Sequence, residues 1–415
     1  MFQEILNCRI CGNHKLTSIV DLGKQFLTGI FPKSKDEVVD QMPLELVKCR
    51  EIQGKEVCGL VQLKHTGDLS QMYGMNYGYR SGLNASMVRH LHEKVKGILN
   101  RVSLQQGDLV IDIGSNDSTT LQAYPEFVQL VGIDPTGVKF KSFYPSHIHL
   151  ISDFFDARLV RSHFGNQKAK VITSFSMFYD LENPMLFMRQ IYEVLDSDGI
   201  WIFEQSYMPT MLEMNSYDTI CHEHLEYYGL QQIQYMTDRV GFKILDVEFN
   251  RVNGGSFSVT VAKKESSFQL NEALIHQILD QEQELGLNSL RPYQDFQKRI
   301  DQSRENLLKF FAQAKRESKK VYGYGASTKG NVLLQYCGLT DEDLPMIAEV
   351  NTSKWGCFTP GTKIPIVSEI EAKQMRPDYF MVLPWHFKEN IIARESLYLD
   401  SGGHLVFPLP QIQII

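Results

Sequence analysis

Thirteen consecutive residues, Ser216 to Tyr228, carry two imidazoles, a thiol, three carboxylates and three phenols. Groups able to move a proton near neutral pH are concentrated there, so the segment reads as acid–base machinery facing one substrate. It follows, by about ten residues, the apolar run Ile200-Trp201-Ile202-Phe203-Glu204-Gln205, which reads as the last core strand of a nucleotide-binding sheet. The His222-Glu223-His224 triplet does not have zinc-protease spacing. That motif needs histidines at i and i+4 on one helical face, whereas residues two apart on a helix point away from one another. A polar helix end with hydrogen-bonded histidines is the plain structural alternative.

The elements that must position this segment are legible on either side of it. Leu109-Val110-Ile111-Asp112-Ile113-Gly114 reads as a buried strand entering a glycine turn, and Leu130-Val131-Gly132-Ile133 as a second strand ending in Asp134 and Pro135. An acid at the tip of the second strand is where a ribose diol is held, and the glycine turn lets a ligand approach the backbone. Further strands are expected at Val171 to Phe175, with Ser174 at its end, and at 200–205, alternating with helices such as Met185 to Leu195. Ser115, Asn116, Asp117 and Ser118 follow Gly114 with no further glycine, so the dinucleotide pattern is broken. Asp112 and Asp117 would repel a pyrophosphate but suit the cationic sulfonium and ammonium of S-adenosylmethionine, the expected cofactor. Asp153, after a third short strand, is placed either to hold the adenine amino group or to cap a helix before Phe154.

With 415 residues, 43% of them hydrophobic, the chain can bury more than one core. A net charge of −7 and a pI near 6.0 argue against a general binder of nucleic acid or anionic membrane. The start has neither a basic nor an apolar leader pattern and no long apolar run occurs, so the expected location is cytoplasmic. No oligomeric state is set by the sequence, and a monomer fits it. Four of the seven cysteines, Cys8, Cys11, Cys49 and Cys58, fall in the first 58 residues. In a reducing compartment such clustering points to metal ligands, and Cys8-Arg-Ile-Cys11 followed by Gly12 reads as a zinc knuckle. Cys49 and Cys58 stand farther apart around a loop, yet need only converge in space. Four thiolates leave no open coordination position, so the expected zinc is structural. Ordinary buried thiols are the alternative.

Residues 265–320 carry apolar positions at helical spacing and read as long helices bridging two lobes, broken at Pro292. Val321-Tyr322-Gly323-Tyr324-Gly325-Ala326-Ser327-Thr328-Lys329 then reads as a strand, a glycine turn and a helix start, where backbone N–H groups and Lys329 could cradle a phosphate. Close helix–strand packing would explain the same glycines. The loops around Asn351 and Trp355, and around Trp385, place an aromatic beside polar groups at strand ends, as a base or sugar site would. Either tryptophan could instead be core.

The order of a Cys-x-x-Cys module, Asp112-Ile-Gly-Ser-Asn-Asp117, Tyr217-Asp-Thr-Ile-x-His-Glu-His224, Gly254-Gly255-Ser256 and Gly323-Tyr-Gly-Ala-Ser-Thr-Lys-Gly330 resembles the sugar C-methyltransferases, which act on nucleotide-linked keto-deoxysugars. The resemblance covers nearly the whole chain. It implies an α/β protein with a zinc-binding module over 1–70, a class I S-adenosylmethionine-dependent methyltransferase domain over 71–264, and a helical linker with a C-terminal Rossmann-like domain over 265–415. It implies His224 as base, with Glu223 beside it, His222 less directly involved, and Tyr77 or Tyr79 reaching the substrate. The chain departs from its relatives at Cys221, where a tyrosine is usual, and at Asn253, where a histidine often stands. A histidine usual in the loop after the third or fourth strand is absent, and Tyr179 or Asp180 takes that neighbourhood. Three other functions stay open at this point: O- or N-methylation, an NAD-dependent nucleotide-sugar oxidoreductase using Gly323 to Gly330 with Glu349 on the ribose, and a binding protein that has lost catalysis.

Overall fold

The computed structural model describes residues 2–67 and 79–415. Tyr77, expected to reach the substrate, lies outside them. Near the N-terminus, β1 (Gln3–Glu4), β2 (Leu16–Phe26), β3 (Gln41–Cys49), β4 (Val61–Leu63) and β5 (His65–Thr66) form antiparallel pairs, with β2, β3 and β4 side by side.

The central strands are β6 (Leu109–Ile113), β7 (Gln129–Ile133), β8 (Ile148–Ile151), β9 (Ala169–Phe175), β10 (Leu195–Ser206), β11 (Glu226–Tyr227), β12 (Phe242–Asn250) and β13 (Ser256–Lys263). All but β11 make one seven-stranded sheet in the order β12-β13-β10-β9-β6-β7-β8, with β13 antiparallel to both neighbours. Strand β6 is fully buried over Leu109–Ile113 and apolar but for Asp112, as expected of a parallel strand covered on both faces. Chain order reverses between β6 and β9, which opens a crevice at their carboxyl ends.

The short strand β11 leaves this sheet and pairs antiparallel with β4, so the N-terminal sheet reads β11-β4-β3-β2. The proton-carrying segment is thereby built into the sheet of the cysteine-bearing module.

A third sheet, β16-β15-β14-β17-β18-β19, is parallel except for its last strand. Its members are β14 (Val321–Tyr324), β15 (Ile347–Glu349), β16 (Ile366–Ser368), β17 (Tyr379–Val382), β18 (His404–Phe407) and β19 (Gln413–Ile414). Here the order reverses between β14 and β17, which puts a second crevice beside the glycine loop and Trp385. The helix Thr328–Cys337 starts cleanly because Ser327 accepts from Gly330 N, and ends at Gly338 with φ 68°.

Two helices, Glu272–Glu284 and Arg291–Arg316, join the sheets. Pro292 begins the second rather than breaking a longer one, since its missing N–H costs nothing in a first helical turn. One apolar cluster runs from Val20, Leu46 and Leu63 through Ile220 and Leu225 to Phe296 and Ile347, so the N-terminal sheet, the 216–228 segment and the C-terminal sheet share a core. Among the described residues no helix is long and apolar enough to cross a membrane.

Candidate active site

The segment Tyr217–Tyr228 is buried at every residue except His224. Its Nδ1 lies 2.8 Å from the carbonyl oxygen of Thr219. A carbonyl only accepts, so Nδ1 carries the proton and Nε2 is left with a free lone pair. Burial, then the charge of Lys329, hold this imidazole down to about 3, and it is therefore neutral at physiological pH. The Tyr179 ring meets it edge-on at 4.5 Å, and Tyr179 O accepts from Leu225 N at 2.8 Å. A cavity of about 10 Å³ lined by Tyr179, Thr219 and His224 has room for about one water.

His222 is a different histidine. It is fully buried, with Nε2 at 3.1 Å from Met42 O and Nδ1 at 3.4 Å from both the N–H and the hydroxyl of Thr28. Nε2 must donate and Nδ1 accept, which spends both nitrogens on the N-terminal module. Burial pushes it down to about 4. Glu223 shares that neighbourhood: Thr28 Oγ1 is 3.5 Å from Oε2, and burial raises the carboxyl above its ordinary range. The backbone passes so close that a Cβ on Gly29 would lie 2.2 Å from Glu223 Oε1. Cys221 is buried, and burial pushes its thiol well up, so it stays protonated and inert.

The glycine turn after β6 lies beside this cluster. Gly114 has φ 73°, and a Cβ there would meet Met177 at 3.1 Å, two residues before Tyr179. Asp134 orders the turn: Oδ2 accepts from Asn116 N at 2.7 Å and Oδ1 from Thr136 N at 2.6 Å, with Pro135 between. The segment after the undescribed stretch folds over the turn. Asn116 Nδ2 donates to Tyr79 O at 3.2 Å, Ser81 N to Asn116 Oδ1 at 3.0 Å, and Gly82 N to Asp117 Oδ2 at 2.9 Å. Tyr79 is exposed here.

The two acids expected to attract the sulfonium are not free charges. Asp117 is paired with Arg80 at 3.6 Å. Asp112 is buried, accepts from Thr173 Oγ1 at 2.5 Å, and is raised to about 7, chiefly by burial. Neither is a free anion waiting for a sulfonium. A glycine with left-handed backbone, an open crevice at the β6/β9 reversal and an acid at the tip of β7 still fit S-adenosylmethionine. Ser174 does not face that crevice, for it is fully buried and its hydroxyl accepts from Trp201 Nε1 at 2.9 Å. Asp153 is exposed and holds its neighbour's N–H, while the helix cap there is Asp156.

Lys329 points out of the C-terminal sheet toward the central one and donates to Asn253 O at 2.8 Å. Trp385, expected as a stacking surface, is 5% exposed and ties its Nε1 to Asp218 Oδ2 at 2.8 Å. The ring left open is Trp355, 44% exposed, with Nε1 held by Glu349 O. The sequence offers both loops and favours Trp385, whereas the exposed ring is Trp355, because exposure depends on strand order. Asn351 caps the turn over Thr352–Lys354 through Ser353 N. Glu349 repeats the role of Asp134: it accepts from Ala326 N at 2.8 Å and Asn351 N at 2.7 Å. Ser216 and Asp218, from the proton-carrying segment, and His386, from the Trp385 loop, were given no individual role in the sequence reading, and the three gather around Gly254.

The four N-terminal cysteines converge, with all sulfurs within 4.8 Å of one another. Cys8–Cys58 and Cys11–Cys49 approach to 3.4 and 3.5 Å, near the roughly 3.8 Å edge of a tetrahedron with Zn–S bonds of about 2.3 Å. Gly12 turns the knuckle with φ 67° and returns its N–H to Cys8 O at 2.9 Å. Asn13 Nδ2 donates to Cys49 Sγ at 3.2 Å, and buried Lys48 sits beside Cys49 and Cys58, offsetting thiolate charge. The donor set fits a closed, structural zinc.

Three family models match the chain in succession: a candidate zinc binding domain over residues 8–73, a methyltransferase domain over 87–247 and a C-methyltransferase C-terminal domain over 251–410. The C-methyltransferase NovU of Streptomyces niveus is 28% identical over 100% of this chain and 97% of its own length. Among solved structures, the YcgJ protein of Bacillus subtilis matches 42% of this chain and 100% of its own at 14% identity and a TM-score of 0.34. Magnesium protoporphyrin IX methyltransferase of Synechocystis, solved with S-adenosylmethionine bound, matches 43% of this chain and 81% of its own at 12% identity and a TM-score of 0.32. The zinc-binding, methyltransferase and C-methyltransferase C-terminal domains follow one another in this order, and with the full-length likeness to a C-methyltransferase they support an S-adenosylmethionine-dependent C-methyltransferase.

Proposed function

We propose that the acceptor is a carbon next to the ketone of a nucleotide-linked keto-deoxysugar, and that His224 takes the proton from that carbon. The observation that carries this reading is the state of His224. It is the one residue of its segment that is not fully buried, its tautomer is fixed by Thr219 O, and its free Nε2 can only accept. A carbon nucleophile has no lone pair to offer, so a base must first create one. S-adenosylmethionine, when bound at the Gly114 turn, supplies an electrophilic methyl group. The chain's own residues do the rest. Asp134 and Asn116 hold the donor loop in shape, Met177 and Tyr179 separate the loop from the base, and the flanking sheet excludes water from one side.

The nucleotide half of the acceptor is assigned to the C-terminal crevice. Supporting this is the second acid-ordered glycine loop, with Glu349 on Ala326 N and an exposed Trp355 ring at the same strand end. Glu349 bound to its own loop also fits a mononucleotide site, without any redox cofactor. The domains divide as 1–70, 71–264 and 265–415 in this proposal, with the acceptor lying between the second and third.

A turnover screen against uridine- and thymidine-diphosphate keto-deoxysugars tests the assignment. The expected product carries a new methyl bonded to carbon by proton–carbon NMR. A methyl on oxygen or nitrogen, or turnover only of acceptors lacking a nucleotide, would contradict it.

A further inference from the structure

Polar groups from separate segments converge where the two sheets meet, and Lys329 stands among them. It lies in the first turn of the helix Thr328–Cys337 and reaches across to Asn253 O at 2.8 Å. Asn253 is fixed in turn, with φ 55° and its Nδ2 3.5 Å from Ser176 Oγ, one residue before the Met177 that lines Gly114. The ammonium therefore stands at the crevice that also holds the donor loop. Asn253 takes one of its three N–H groups, and among the described residues it has no other hydrogen-bond acceptor.

The surroundings are incomplete in the same place. Asp218 is 1% exposed; Oδ2 is held by Trp385, but Oδ1 has no protein partner among the described residues. Ser216 Oγ and His386 Nδ1 are likewise buried and unmatched. A Cβ added to Gly254 would lie within 4 Å of His386 Cβ, Ser216 Oγ and the Trp385 ring, so these side chains gather around one point. Buried polar atoms are normally satisfied, and a cluster of unmet ones marks where a polar ligand completes them. The charge of Lys329 reaches His224, His386, Asp218 and Cys221 alike.

The chemistry of the base sets what this cation is for. A neutral imidazole held as a weak base cannot by itself hold a proton taken from a carbon acid. The electron pair must be received elsewhere, by a donor aimed at the oxygen that gains charge. We propose that Lys329 is a catalytic residue whose free N–H groups receive the enolate oxygen of the acceptor, and that it is not a holder of the nucleotide's phosphates. In this step the α C–H bond breaks and its proton goes to His224 Nε2. The C–H pair forms the C=C bond, and the carbonyl π pair moves onto the oxygen beside Lys329. S-adenosylmethionine held at the Gly114 turn would supply the methyl group to the enolate carbon and keep the C–S pair on sulfur, while the pair on the oxygen beside Lys329 would return to the C=O bond and His224 would return its proton to water.

The inference rests on the carbon-acid reading above, and one experiment keeps the two apart. Exchange of the acceptor's α C–H with solvent deuterium is followed by NMR, with S-adenosylhomocysteine filling the donor site and a thymidine- or uridine-diphosphate keto-deoxysugar as probe. Binding of the same probe is measured by calorimetry. For Lys329→Met, exchange should fall about a hundredfold or more, as when one oxyanion donor is removed, while the probe's Kd changes less than about threefold. Lys329→Arg keeps the charge and should recover at least about tenfold of that loss, which a folding defect would not allow. Exchange unchanged in Lys329→Met with Kd raised tenfold would make Lys329 a phosphate holder and overturn the proposal. No exchange in the wild-type enzyme with any probe overturns the carbon-acid reading itself, and this proposal with it.

Discussion

Tyr227 pairs with Val61 across two short antiparallel strands, and this pairing binds the segment carrying His224 to the sheet of the zinc module. Leu63 N adds a bond to Leu225 O at 2.8 Å, one residue after His224. His222 spends both ring nitrogens on Met42 and Thr28 of that same module. The zinc site thus belongs to the scaffold that sets the position of His224, the proposed base.

Removing the metal should therefore cost activity through position. Cys58→Ser is expected to lose zinc and at least tenfold in turnover, with the S-adenosylmethionine Kd changed less than threefold, because the donor loop sits on a different sheet. Metal content, calorimetry and initial rates read this directly. Full turnover in a zinc-free protein would separate the module from the site.

Gly29 and Glu223 form a second bridge. An added Cβ would fall 2.2 Å from Glu223 Oε1, so Gly29→Ala must displace the carboxylate or the loop. A loss of about 1–3 kcal/mol in urea denaturation is expected, with reduced turnover. Glu223→Ala should relieve most of that loss in a double-mutant cycle. Additive effects would show that the two do not touch.

Asp134 should matter to the donor more than to the acceptor. Asp134→Asn places an amide where Asn116 N and Thr136 N now donate to a carboxylate. About 1.5–3 kcal/mol for hydrogen bonds to a charged group translates into at least a tenfold weaker S-adenosylmethionine complex, with the acceptor's Kd unaltered. Calorimetry with each ligand separates the two effects.

Stability should fall on mild acidification. His222 has its ordinary value of 6.5 when unfolded and about 4 when folded, because burial disfavours its charge. Between those values the unfolded chain binds more protons, so stability is complete above pH 6.5 and is lost as pH falls toward 4. One such histidine gives about 2 kcal/mol between pH 6.5 and about pH 5. His222→Gln should flatten that part of a urea-midpoint profile. An unchanged slope would mean that His222 is not buried neutral.

Much of this was legible in the chain because it rests on local pattern. The four cysteines, the Leu109–Ile113 strand with its glycine turn and the acid at Asp134 announce themselves by residue type and spacing. What could not be read depends on remote partners. Glu226–Tyr227 has no strand signature of its own and is a strand only because Gln62 and Val61 lie beside it. Asp117 reads as free charge until Arg80 folds over the turn, and Asp112 until burial neutralises it. Ser174 and Trp385 stand at strand ends as expected, but each is spent on a side chain distant in sequence, Trp201 and Asp218. His222 and His224 look equivalent in the sequence, and only the positions of Met42 and Thr219 tell them apart.

The central claim is that His224 Nε2 removes a proton from carbon before the methyl arrives. Its most direct measurement is solvent deuterium entering the α-carbon of a nucleotide-linked keto-deoxysugar, with S-adenosylhomocysteine in place of the donor, for wild type and His224→Gln. Deuterium entry in the wild-type enzyme, slowed at least a hundredfold in the variant with the acceptor still bound, is the predicted result. Equal entry in both proteins would contradict it.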